Sequence, residues 1–272
     1  MKVAVIGGGT MGGAMVKSIL RARLAARGDI VVSDVSRERR EMAGKKYGVA
    51  VTHDNAAAVK GVEVVILAIK PQEMDGVMEQ IAAHLKSQLV ISIAAGVGME
   101  AICRRLKYSA VVRAMPNTPA QVGKGMTVWT SSKELAAGKY ETARLILSSM
   151  GEELHFEDER YLDMATAISG SGPAYVFLFI EALIDAGVHI GLPRDTAQKL
   201  VVETVAGSAE AMKKMAKHPA ELRNMVTSPG GTTAEALHRL EGGGLRSLVG
   251  NAVTAAYEKA KSIGAKQPGK DH

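Results

Sequence analysis

Six residues near the N-terminus, Gly7-Gly8-Gly9-Thr10-Met11-Gly12, follow an apolar strand pattern at Lys2 to Ile6 and open a helical one. The first glycine permits a tight turn, the second lets backbone approach a ligand closely, and the third lets helix pack on strand. Free N–H groups at the helix start and the helix dipole then attract a phosphate. A strand–turn–helix unit that receives a dinucleotide is therefore expected, shaped by Gly7, Gly9 and Gly12. Asp34 stands 22 residues after Gly12, at the end of the next strand pattern. A carboxylate there would hydrogen-bond an adenosine ribose and repel a 2′-phosphate, which favours NAD. Ser33, Ser36, Arg37 and Arg39 crowd the same turn, and arginine there would neutralise a 2′-phosphate. The two signals oppose each other, and the arginines read equally well as a solvated helix start.

The pattern extends. Ile30 to Asp34, Val49 to Thr52, Val62 to Ile69, Leu89 to Ile93 and Ala110 to Met115 read as strands, with helical stretches between most of them. Buried apolar runs separated by helices imply a parallel sheet covered on both faces. Gly125 to Thr130 and Glu152 to Phe156 add two further strand patterns around a helix near Leu135 to Met150. Beyond residue 157 strand signals stop. Ala174 to Val188, Arg194 to Lys217, Ala220 to Val226, Thr233 to Leu240 and Leu245 to Ile263 look helical, and Lys266 to His272 is a polar tail expected to fray. The expectation is an α/β domain over 1–157 and an all-α domain over 158–272.

Composition narrows the chemistry. The 272 residues are 47% apolar and 23% charged, enough to bury a core unaided. The single cysteine, Cys103, cannot form an internal disulfide, which fits a reducing, cytoplasmic setting. The longest charge-free stretch, Met164 to Ile180, contains Ser169-Gly170-Ser171-Gly172-Pro173, so no membrane-spanning helix is expected there. Met1-Lys2 leads at once into a strand pattern, so no signal peptide is expected. A net charge of +6 hints at an anionic ligand, but basic residues are scattered and aromatics are only 4%, which argues against nucleic acid. No two of the seven histidines lie at metal-ligand spacing, and no Gly-x-Ser-x-Gly elbow is present. Metal and hydrolase chemistry lack their parts.

Other segments suit a ligand. Ala68-Ile69-Lys70-Pro71 and Ser92-Ile93-Ala94-Ala95-Gly96-Val97 lie just past two strand ends, where open parallel sheets bind ligands. Ser228-Pro229-Gly230-Gly231-Thr232-Thr233 precedes a helical pattern and would make a carboxylate receptor or a plain capped turn. Ser169 to Pro173 reads as a second such helix start.

Taken together, the chain resembles the pyrroline-5-carboxylate reductase family over nearly its whole length. The resemblance rests on Ile6 to Ala14, Leu67 to Gln72, Ser92 to Val97, Arg113-Ala-Met-Pro-Asn-Thr-Pro-Ala120, Ser169 to Tyr175 and Ser228 to Thr233. It departs at Thr10, where the family usually has asparagine. It implies a Rossmann-type, doubly wound, mostly parallel sheet followed by a helical dimerisation domain, and reduction of 1-pyrroline-5-carboxylate to L-proline by NADPH or NADH. By position it assigns Thr10, Met11, Ser33, Asn55, Ala68, Lys70, Ala95 and Gly96 to the cofactor, beside Pro71. Glu159, Thr166, Ser228, Thr232 and Thr233, with Gly231, fall around the substrate. Thr166 is the candidate for hydrogen bonding to the imine nitrogen, as proton relay or as positioner; it reads equally well as a helix-turn threonine. A homodimer is implied, and the family extends to rings of dimers. Val176 to Ile180 in succession independently call for cover by a second copy. A β-hydroxyacid dehydrogenase would place a lysine in the helix after the glycine segment, and Ala174 to Ile190 has none. A non-catalytic NADP sensor would have no reason to keep Ser228 to Thr233.

Overall fold

A computed structural model describes residues 1–265; the tail Lys266 to His272 lies outside the described residues. The chain divides into two compact units, one of Met1–Ser171 with the residues from Ala256 onward, the other of Gly172–Ala255.

The first unit alternates β1 (Val3–Ile6), α1 (Thr10–Arg21), β2 (Ile30–Ser33), α2 (Arg37–Tyr47), β3 (Ala50–Thr52), α3 (Asn55–Ala58), β4 (Val64–Leu67), α4 (Met74–Ala82), β5 (Leu89–Ser92), α5 (Met99–Leu106) and β6 (Val111–Met115). It continues through β7 (Gly125–Ser131), α6 (Ala137–Ser148), β8 (Gly151–His155) and α7 (Arg160–Ala165). The strands form one sheet in the order β3-β2-β1-β4-β5-β6-β7-β8. Every pair is parallel except β6 with β7.

Alternation along each strand builds two cores. Val3, Val5, Ile30, Val32, Ile66 and Ile91 pack with Met15, Ile19, Ile146 and Trp129 on one face. Ala4, Ile6, Val65, Leu67 and Val90 pack with Met74, Met78, Ile81 and Ile102 on the other. Successive strand residues point to opposite faces, so a strand buried on both sides must be apolar throughout. Each fully buried isoleucine or leucine stabilises by roughly 1.5–3 kcal/mol. Local chemistry sets the helix ends: Ser36 caps α2 by accepting from the Arg39 N–H, and Gly48 in left-handed backbone stops it.

The second unit holds α8 (Gly172–His189), α9 (Arg194–Met215), α10 (Pro219–Met225), α11 (Thr232–Gly242) and the start of α12 (Leu245–Ala265). Two sequence expectations need correction here. Ser169 to Pro173 does lead into a helix, α8 starting at Gly172 with Pro173 in its first turn, but not at a free N-terminus, because a π-helical turn over Thr166–Gly170 carries the backbone on from α7. The Ser171 N–H reaches the Thr166 carbonyl, and helical backbone runs from Arg160 to His189. That run is long and apolar enough to cross a membrane, by length and composition alone. The glycines therefore do not break it. No residue of α8 is buried within the chain.

The division after Ser171 differs from the expected boundary at 157. Arg113 on β6 accounts for part of the difference, since its guanidinium holds Glu159 and Asp163 and ties α7 to the sheet.

Candidate active site

The strand registers bring four loops to one edge of the sheet. Ile6 lies beside both Ser33 and Leu67, and Leu67 beside Ser92. The ladder runs one step further, with Gly7 N–H donating to Ser33, Ala68 N–H to Ile6 and Ile93 N–H to Leu67. Chain order reverses between β1 and β4, so the loops after them diverge and leave a crevice, the usual ligand position in an open α/β sheet.

Glycine is required in two places there. Gly7 sits at φ +105°, and a Cβ on it would overlap the Ala68 carbonyl. A Cβ on Gly12 would overlap the Gly7 carbonyl oxygen and push α1 off β1. Gly9, by contrast, has nothing within 4 Å of its Cβ position. No side chain caps α1 and no acid lies in its first turn, so its N–H groups and dipole are left to an anion.

The crevice is a cleft of about 550 Å³. Gly7, Gly9, Thr10, Met11, Ser33, Asp34, Asn55, Ala68, Lys70 and Pro71 line it, ten of the positions read from the sequence. Gly12 lies behind the loop, buried. Ala95 and Gly96 continue past β5 outside this lining, although Ile93 belongs to it. Ser33 and Asn55 are held from within, the Ser33 hydroxyl donating to Asn55 Oδ1 at 2.7 Å and Asn55 Nδ2 donating to Gln80 at 2.8 Å.

Asp34 has a part in addition to the one its spacing suggested. Its Oδ2 accepts from Gly8 N–H and its Oδ1 from Ser36 N–H, each at 2.8 Å, and Arg39 lies 3.6 Å away. The side chain is 4% exposed. The carboxylate thus ties the glycine loop to the turn after β2, with its charge partly met by arginine. Arg37 is 85% exposed, pairs with Glu41 and does not line the cleft. Arg39 does line it, and it also lines a smaller adjoining cleft of about 350 Å³ with Lys17 and Lys46. Cationic side chains thus crowd the end of the crevice beside the start of α1.

The residues expected around the substrate divide between the units. Glu159 Oε1 accepts from Arg113 at 2.6 Å and from the Met99 N–H at 2.7 Å. Thr166 donates its hydroxyl proton to the Leu162 carbonyl at 2.7 Å, the helix-turn bond foreseen as its alternative. Ser228, Gly231, Thr232 and Thr233 lie in the second unit, and none lines the cleft. Gly230 is left-handed at φ +69°, and α11 begins at Thr232 behind Gly231 with no side-chain cap. Sequence reasoning missed Arg113 as a site residue. Its signal is a lone charge inside the apolar run Val111-Val112-Arg113-Ala114-Met115. Burial, and then the Glu159 charge, push the Cys103 thiol up, which makes it a poor nucleophile. Among the described residues no group of His, Cys, Asp and Glu is placed to hold a metal.

Comparison with known proteins agrees with this layout. A family model for pyrroline-5-carboxylate reductase dimerisation matches residues 159–263, and one for NADP oxidoreductase, coenzyme F420-dependent, matches residues 2–96. A pyrroline-5-carboxylate reductase of Synechocystis is 42% identical, over 98% of this chain and 99% of its own length. One from Pisum sativum is 37% identical over 95% of this chain and 94% of its own. The crystal structure of Plasmodium falciparum pyrroline carboxylate reductase with NADP bound matches at a TM-score of 0.89 and 34% identity, covering 97% of this chain and 98% of that one. With a glycine-shaped cleft in one half, a matched dimerisation segment in the other and relatives alike from end to end, the chain belongs to the pyrroline-5-carboxylate reductase family.

Proposed function

We propose that the residues along this sheet edge, with the Ser228 to Thr233 segment, carry out NAD(P)H-dependent reduction of 1-pyrroline-5-carboxylate to L-proline, the last step of proline biosynthesis. The observation that carries this reading is end-to-end likeness to reductases of that name in a cyanobacterium and a plant. The cleft fits the cofactor on its own terms, because Gly9 leaves open space before an uncapped helix start. The test is NADPH oxidation in the presence of the imine. Purified protein that turns over no imine would overturn the reading.

When bound, the nicotinamide supplies a hydride. Addition of that hydride to the carbon of an imine already protonated at nitrogen would place the C=N π pair on that nitrogen and leave a secondary amine. That chemistry requires positioning and charge complementarity, with no protein nucleophile or metal. Gly7, Gly9, Thr10, Met11, Ser33, Asn55, Ala68, Lys70, Pro71, Ala95 and Gly96 would hold the cofactor, with Gly12 keeping the loop close. Asp34 shapes that loop through Gly8 and Ser36. Arg39 rather than Arg37 would face a 2′-phosphate, supported by its position on the cleft. NADPH is therefore the favoured cofactor and NADH the weaker one.

The substrate carboxylate is assigned to the start of α11, where backbone N–H groups and the Thr232 and Thr233 hydroxyls would each give a charge-assisted bond of roughly 1.5–3 kcal/mol. Thr166 serves as positioner. Its proton is committed to Leu162, so its oxygen is an acceptor for an imine that binds already protonated.

Assembly follows from the apolar helix. Phe177 and Leu178 are 61% and 67% exposed within one chain, and they fall inside the matched dimerisation segment. We assign their cover to a second copy rather than to a bilayer, with Ser228 to Thr233 completing the partner's cofactor site. Cys103 as the single cysteine suits the cytoplasm.

A further inference from the structure

We infer that Arg113 and Asn117 are positioning residues for this reduction: from the end of β6 they fix both the turn before α5 and the π-turn that carries Thr166. The inference rests on the reductase reading above.

Arg113 is the residue of β6 that pairs with Ser92, the last of β5, and its side chain is 7% exposed. A guanidinium so deep requires partners. Its fork holds Glu159 Oε1 at 2.6 Å and Asp163 Oδ1 at 3.3 Å, the two acids one turn apart on the segment leading into Thr166. The same Glu159 oxygen accepts from the Met99 N–H, where α5 starts behind Gly98 with no side-chain cap of its own. One carboxylate oxygen thus joins the sheet, the segment after β5 and the approach to the π-turn.

Asn117 grips the other end of that turn. Its Oδ1 accepts from Met126 N–H at 2.9 Å, and its Nδ2 donates to the Ser169 carbonyl at 3.0 Å. In a regular helix that carbonyl would take the N–H four residues on, but position 173 is proline and has none. Between the two anchors, Gly170 lies so near Met115 that a Cβ would sit 3.0 Å from its terminal methyl. Single π-helical turns inside α-helices are rare and occur frequently at functional sites.

Stability alone does not account for the arrangement. Buried ion pairs replaced by packed apolar residues often leave a protein as stable or more so, whereas their directional bonds fix where a segment lies. What is fixed here is the segment that follows β5 and the π-turn that follows α7, and a displacement of about 1 Å in a reacting geometry can cost about a hundredfold in rate.

The test uses Arg113→Lys, which keeps the charge and loses the fork, and Asn117→Asp, which keeps the acceptor for Met126 and loses the donor to Ser169. Folded variants should show kcat lowered about tenfold or more, with the Kd for NADPH within about twofold of wild type. The primary isotope effect on kcat with NADPH deuterated at C4 should rise, because a misplaced acceptor slows the hydride step itself. Wild-type kcat in a folded variant overturns the inference. So does activity lost only in proportion to folded protein with an unchanged isotope effect, which is the mark of a merely structural role. If Arg113→Lys does not fold, Asn117→Asp decides alone; if neither folds, the anchors are structural and the inference fails. A wild-type protein that reduces no imine fails earlier and separately, at the reductase reading.

Discussion

Both carboxylate oxygens of Asp34 accept from backbone N–H groups, of Gly8 and of Ser36, so the residue whose spacing favours NAD also braces the loop. On the proposed reading, Arg39 on the cleft would favour a 2′-phosphate against it. Replacing Arg39 by alanine should lower the NADPH to NADH ratio of kcat/KM by about tenfold or more, the worth of one charge-assisted contact, while Arg37→Ala should leave the ratio within about twofold. Equal ratios in wild type and Arg39→Ala would show that Arg39 is only a surface charge. A second residue can be isolated in the same assay. Thr233→Ala should raise KM for the imine about tenfold and leave the Kd for NADPH alone; equal loss in both would assign the α11 start to the cofactor.

At the scale of elements, α1 depends on one missing methyl group. Gly12→Ala would drive a Cβ into the Gly7 carbonyl, and relief requires α1 to lift from β1, where Met15, Val16 and Ile19 are buried. NADPH binding should fall by at least about tenfold and Tm by several degrees, as expected of overpacking worth about 1–3 kcal/mol. The edge strand β8 carries a pH response. His155 stacks edge-on against Trp129 and Tyr140, with ring centroids 4.5 and 5.1 Å away, and its Nε2 is buried without a partner. Burial holds its pKa below the usual 6.5, against the opposing pull of Glu157 and Glu153. The unfolded chain therefore takes up this proton first. The stability due to neutral His155 is complete above about pH 6.5 and is lost as pH falls from there toward the folded value. Melting followed by fluorescence of Trp129, the single tryptophan, should show Tm falling below about pH 6.5, and His155→Phe should flatten that slope. An unchanged slope would assign it to other groups.

For the whole molecule the deciding feature is α8, an apolar helix with no buried residue in a single chain. Light scattering at low micromolar concentration should give at least twice the 28.6 kDa chain mass, and Tm should rise with concentration as mass action demands. Phe177→Glu with Leu178→Glu should dissociate the assembly and abolish turnover together. A folded, active species at the monomer mass would defeat the argument.

Much of this was open to reading in the chain itself. Short, β-branched apolar runs such as Val64 to Leu67 read as strands covered on both faces, and glycines at 7, 9 and 12 between strand and helix leave few other uses. These are local facts: period, turn and cap are properties of neighbouring residues. The roles of Asp34, Arg37 and Thr166 were not local. Asp34 and Gly8 are far apart in sequence and meet only when β1 and β2 align, so a spacing rule could find the carboxylate but not what already occupies it. Arg37 and Arg39 are equivalent in sequence, and the phase of α2 alone sets one against the cleft and the other in solvent. The helix through Ser169 to Pro173 was hidden for the same reason. Glycine and proline there ordinarily end a helix, and the hydrogen bond that makes good the missing N–H comes from Asn117, 52 residues earlier.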